Sequence, residues 1–157
     1  MTRTIHLAIF SNGSKPAHWS IWIPTAGQES MGKLIHVTGN PATGFFLEFK
    51  RNFDRTHDID FTETEHQIIE LGQISDGYVK DLVPMAPQTR DTIARDRLES
   101  AATTVAPPGR SVNPFDPAAL NCQNWIEDFV EKLINEGALD ASVRTTLQGA
   151  PRKLQKS

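Results

Sequence analysis

Residues 121–135 read NCQNWIEDFVEKLIN, and this stretch decides the architecture. Cys122, Trp125, Ile126, Phe129, Val130, Leu133 and Ile134 recur at i, i+3, i+4, i+7 and i+8. That spacing lays one apolar stripe along an α-helix. Asn121 stands where an N-cap belongs, because its side-chain oxygen suits the free amides of a first turn. Gly137 supplies a C-terminal stop. A helix with so apolar a face needs a partner surface, and the sequence upstream offers one.

That surface is written in strands. TIHLAIF (4–10), WSIWI (19–23), KLIHV (33–37), FFLEFKRNF (45–53) and HQIIELGQI (66–74) are short apolar or aromatic runs separated by Gly, Pro and Asn clusters. The TGNPATG turn folds 45–53 back on 33–37 as a hairpin, and Gly72 marks an expected bulge. Further on, QTRDTIARDRLESAATT (88–104) carries a thin apolar stripe and reads as one surface helix. Val105–Pro117 is stiffened by Pro107, Pro108, Pro114 and Pro117. It reads as a wall or lid leading into Cys122. The expected fold class is α+β, an antiparallel sheet packed against helices. One domain covers 1–149, with a basic flexible tail at 150–157.

Composition narrows the function. A chain of 157 residues with 38% hydrophobic and 22% charged residues fits one globular domain. A net charge of −3 argues against nucleic acid, whose phosphates need a basic surface. The single cysteine excludes an internal disulfide and a Cys-rich metal centre. No cofactor or metal is called for. No apolar run approaches the roughly 20 residues of a membrane span, and no secretory h-region is present. The expectation is a cytoplasmic protein without a membrane anchor. Its oligomeric state is not written in the sequence.

Cys122 is the residue with most chemical potential. In the first turn of a helix it meets free backbone amides and the positive end of the dipole, both of which favour a thiolate. The same position also suits a small buried hydrophobe. A nucleophilic thiol needs a base, and His18 and His36 are the histidines that sit on strands of the expected sheet. If those strands are neighbours, the two imidazoles share a face, across which a helix can present the thiol. His57 falls in a charged loop, and His6 and His66 sit near strand starts as structural or surface residues. The carboxylates of FDRTHDIDFTETE (53–65) read as a solvated acidic loop. Trp19 and Trp22 are candidates to line an apolar cleft, Asn121 to touch substrate, and Trp125 to fill the core.

The runs His18-Trp19-Ser20-Ile21-Trp22-Ile23, Leu34-Ile35-His36-Val37 and Asn121-Cys122-Gln123-Asn124-Trp125 together resemble the lecithin retinol acyltransferase-like family. That resemblance implies a circularly permuted papain-like (permuted NlpC-type) fold with the order His, His, Cys. It implies a triad of Cys122 as nucleophile, His18 as base and His36 orienting His18. Three departures stand out. Pro24 replaces the family's usual glycine. Asn-Cys-Gln-Asn-Trp replaces Asn-Cys-Glu-His-Phe. The chain closes on RKLQKS, with no hydrophobic anchor. The fold therefore transfers better than a lipid substrate. The expected activity is hydrolysis or acyl transfer at an amide, ester or thioester of a small molecule or short peptide. The alternative is a non-catalytic binding module on the same fold.

Overall fold

The computed structural model describes residues 2–13, 15–28, 30–81, 87–116 and 118–153, with the backbone alone at Ile59 and Asp60. Five long strands carry the fold: β1 (Thr2–Phe10), β2 (His18–Pro24), β3 (Met31–Asn40), β4 (Gly44–Asp54) and β5 (His66–Ser75). A short β6 (Thr89–Asp91) completes a sheet ordered β5-β1-β2-β3-β4-β6, antiparallel at every step. Four helices accompany it: α1 (Ile59–Glu63), α2 (Arg97–Thr103), α3 (Cys122–Asn135) and α4 (Ser142–Gln148). The α+β class and the antiparallel sheet under helices are as the sequence reads.

Strand periodicity sorts the side chains. Ile5, Leu7, Ile9, Trp19, Ile21, Ile35, Val37 and Phe49 face α3, whose Trp125, Ile126, Phe129, Val130 and Leu133 are buried against them. Each of these side chains contributes roughly 1.5–3 kcal/mol by leaving water. The opposite face carries a smaller cluster of Ala8, Phe10, Trp22 and Leu34, covered by Phe61 of α1. Trp19 and Trp22 therefore lie on opposite sides of the sheet, and both are buried.

Two irregularities shape the sheet. Ile5 pairs with Gly72 and His6 with Glu70, so Leu71 is the extra residue of a bulge beside Gly72. A Cβ on Gly72 would meet Val143 Cγ2 at 2.8 Å, so the glycine also lets α4 approach. On the other flank Asn52 adopts φ 57°, and the β3–β4 register slips between Gly32 and Leu34. Just before the slip, Arg51 points by ordinary alternation to the face that carries α2. There Arg51 meets Glu99 and Asp91 at 2.7 Å each, and Lys33 meets Asp96 at 2.6 Å and Glu99 at 2.8 Å.

The expected helix over 88–104 is divided in the structure. Thr89–Asp91 pairs with β4, and the helix begins only at Arg97. Asp96 caps it by accepting from Glu99 N at 2.7 Å. The acidic loop 53–65 contains α1, and Asp58 is buried in it rather than solvated. The expected flexible tail begins docked. Ala150 is buried, and Arg152 O accepts from Ala17 N at 2.8 Å. Residues 154–157 of that tail, and Pro117 of the proline segment, lie outside the described residues.

Candidate functional site

β2 and β3 pair from Pro24–Gly32 to Ile21–Ile35, and there the ladder stops. Beyond it the backbone of Ala17 and Trp19, which would otherwise bond a continuing β3, turns to other partners. Ala17 O accepts from Gln123 Nε2 at 2.9 Å and from the Cys122 thiol at 3.9 Å. Trp19 N–H is directed at the same sulphur. The N-terminus of α3 thus enters a split in the sheet. Asn121 holds it there, accepting from Gln123 N at 2.9 Å, while Asn124 Oδ1 accepts from Asn121 N at 2.9 Å. Asn121, expected as a substrate contact, is occupied by this capping box.

On the other face of the sheet the imidazoles bridge the same split. His18 Nε2 lies 2.8 Å from His36 Nδ1, with ring centroids 5.0 Å apart. Ser20 Oγ sits 3.2 Å from both nitrogens. Behind them, His36 Nε2 is 2.9 Å from Glu48 Oε1, its direct partner in the β3–β4 register. The tautomers follow from this chain of bonds. An ionised Glu48 can only accept, so His36 carries its proton on Nε2 and accepts at Nδ1. His18 then donates from Nε2, which makes Nδ1 its basic nitrogen. The hydrogen bond from His36 holds the Glu48 carboxyl below the usual carboxylate range.

Sequence reasoning had α3 crossing the face that carries the histidines. The structure puts α3 on the opposite face, and the thiol reaches the split from that side. His18 and His36 are brought into contact, and Cys122 is brought to the backbone on either side of His18. The thiol is nearly covered, with Cys122 only 7% exposed. Burial pushes it above its ordinary pKa, against the pull of the Trp19, Cys122 and Gln123 amides. Its neighbours are tied to residues 151–152. Gln123 Nε2 also donates to Arg152 O at 2.8 Å, and Trp19 Nε1 to Pro151 O at 3.1 Å.

Glu48 was missed in the sequence, although alternation in FFLEFKRNF and the hairpin turn together set it opposite His36. The imidazoles, Ser20 and Glu48 line an open cavity of about 390 Å³, with Phe10 on one wall and Arg90 on another. Among the described residues, none of the proline segment lines this cavity. The segment is strapped to the β3–β4 turn, with Phe45 N donating to Pro108 O at 2.8 Å and Ser111 N to Pro41 O at 2.7 Å. Trp125 fills the core as read, and His57 is solvated, its side chain 81% exposed. Among the described residues no group of three or more metal-ligating side chains is gathered, and no helix is long and apolar enough to cross a membrane.

Fold and site together define an α+β protein with a capped thiol helix entering a split sheet, beneath a Glu–His–His chain. Residues 5–140 match a family of unknown function, DUF6540, and the chain belongs to it. No curated protein and no solved structure matches.

Proposed function

We propose that the protein is a cysteine-dependent hydrolase or acyltransferase on a circularly permuted papain-like frame, similar to the lecithin retinol acyltransferase-like enzymes. Its substrate is an amide, ester or thioester of a small molecule or short peptide. One observation carries this reading: the 2.8 Å His18–His36 contact bridges the split into which the Cys122 thiol projects.

The chemistry runs through an acyl-enzyme. His18 Nδ1 takes the thiol proton as the sulphur attacks the carbonyl. Negative charge gathers on the carbonyl oxygen, where the amides clustered at the sulphur act as donors. His18 returns the proton to the leaving group. It then deprotonates water or an acceptor, which releases the acyl group from Cys122. His36 is a positioning residue, and Glu48 offsets the charge that builds on the imidazole pair. Burial favours the neutral thiol, so the thiol proton moves when substrate is bound.

The raised thiol pKa and its 7% exposure specifically favour a second reading, a binding module in which Cys122 is packing. The two readings separate by intact-mass analysis after exposure to activated acyl esters. The enzyme reading expects an acyl adduct on Cys122 whose rate falls about 100-fold in His18→Ala, the scale of a lost general base. An adduct indifferent to His18, or none at all, leaves only the binding module.

A further inference from the structure

We infer that a second cavity, walled by His6, Trp22, Pro24, Arg55 and Ile68, is a ligand site for a small singly charged carboxylate with an apolar body. Its volume is about 520 Å³, within the usual size of small-molecule sites. It opens on the same face of the sheet as the His18–His36 cavity and is separate from it. Phe61 stands between them, with centroids 5.1 Å from Phe10 of the first cavity and 5.4 Å from Trp22 of the second.

The observation that points to a ligand is a pair of unsatisfied nitrogens, one of them a guanidinium donor. Buried polar atoms in folded proteins are nearly always hydrogen-bonded. Among the described residues three buried side-chain nitrogens or oxygens lack a partner, and two of them, His6 Nδ1 and Arg55 Nε, belong to this cavity's lining. The contrast with the chain's other enclosed cations is sharp. Arg51 holds Glu99, Asp91 and the Ile93 carbonyl, and Lys33 holds Asp96, Glu99 and the Lys80 carbonyl. No described residue gives the Arg55 guanidinium a hydrogen bond or ion pair.

The lining sets the ligand's chemistry. A guanidinium presents paired N–H groups that match a carboxylate fork. His6 Nδ1 is a second polar atom at the site, and burial lowers the His6 pKa with the Arg55 charge adding to that, while Glu70 and the Trp22 carbonyl oppose it. Glu70 pairs with His6 across the β1–β5 ladder, and its charge disfavours a doubly charged phosphate more than a carboxylate. Trp22, Pro24 and Ile68 supply the apolar surface against which the ligand's body rests.

Isotope-edited NMR titration of the full chain tests this with three probes: phenylacetate, its neutral amide and inorganic phosphate. Phenylacetate is expected to shift the His6 ring and the Trp22 indole saturably in the millimolar range, leaving His18 and His36 unmoved. Phenylacetamide, and phenylacetate with Arg55→Gln, are expected to bind at least about tenfold more weakly, the scale of a charge-assisted hydrogen bond. Arg55→Lys should fall between, and Cys122→Ala should bind as the parent does. Equal binding of the amide, tight binding of phosphate, no saturation, or indifference to Arg55→Gln each overturns the assignment. If Arg55→Gln fails to fold, the comparison of acid and amide on the parent chain decides alone.

Discussion

At the scale of single residues, the Glu48–His36–His18 chain ties proton position to register. Because His36 touches both of its neighbours, removing the middle member leaves both ends misdirected. His36→Asn is expected to lower the rate of Cys122 acylation and His36→Phe to lower it further, with the fold intact by circular dichroism. Equal rates in the parent and both variants would argue against a positioning role. Glu48 also predicts a pH dependence. Its folded pKa lies below the unfolded one, so its stabilisation is present above the ordinary carboxylate pKa and is lost as pH falls through the folded value. Glu48→Gln should therefore flatten the stability curve on the acid side, read by denaturant titration at several pH values. Glu48 is partly solvated and the effect is small, whereas Glu99 is completely buried between Lys33 and Arg51. Its pKa is lowered as well, with the same sign. Glu99→Gln removes the charge that two buried cations share, leaving them Asp96 and Asp91, and is expected to cost about 3–5 kcal/mol at neutral pH.

At the scale of elements, α3 was legible because its stripe is local and long. Trp125 and Phe129 stack with centroids 5.0 Å apart under the sheet. Phe129→Ala should destabilise by roughly 3–5 kcal/mol, measured by chemical unfolding. The long strands were legible for the same reason, down to the bulge beside Gly72. What escaped was short or held from afar. Residues 89–91 carry no strand pattern of their own. They pair with β4, where Arg51 pins Asp91. Only the Asp96–Glu99 spacing hinted that the helix starts late. Of the site, His18, His36 and Cys122 were legible from motif and order. The split that receives the thiol was not, because a ladder's end is set by strand twist and by partners far along the chain. The docking of 150–152 rests on Gln123 and Trp19 reaching backbone carbonyls 29 and 132 residues away. Such bonds leave no periodicity to read. Truncation after Gly149 removes those acceptors, and is expected to speed alkylation of Cys122 and lower the melting temperature together. Unchanged alkylation would mean that α3 and β2 alone shield the thiol.

At the scale of the whole molecule, the sheet is a single layer with unequal faces. The α3 side holds the main core, and the α1 side holds a thinner cluster flanked by two cavities. Hydrogen exchange should follow this order, slowest in the middle of β1 and β2 and fastest in β6 and α4. Ala17 N offers a separate probe, since its partner among the described residues is Arg152 O, across nearly the full chain. Ribosomes deliver residues in order, at roughly 5–20 per second. A nascent chain presents β1 to β5 before α3, and α3 before Arg152. Until it arrives, Ala17 and Gln123 lack the carbonyl that receives them in the finished fold, so the bonds that tie β2 and α3 to this segment form late.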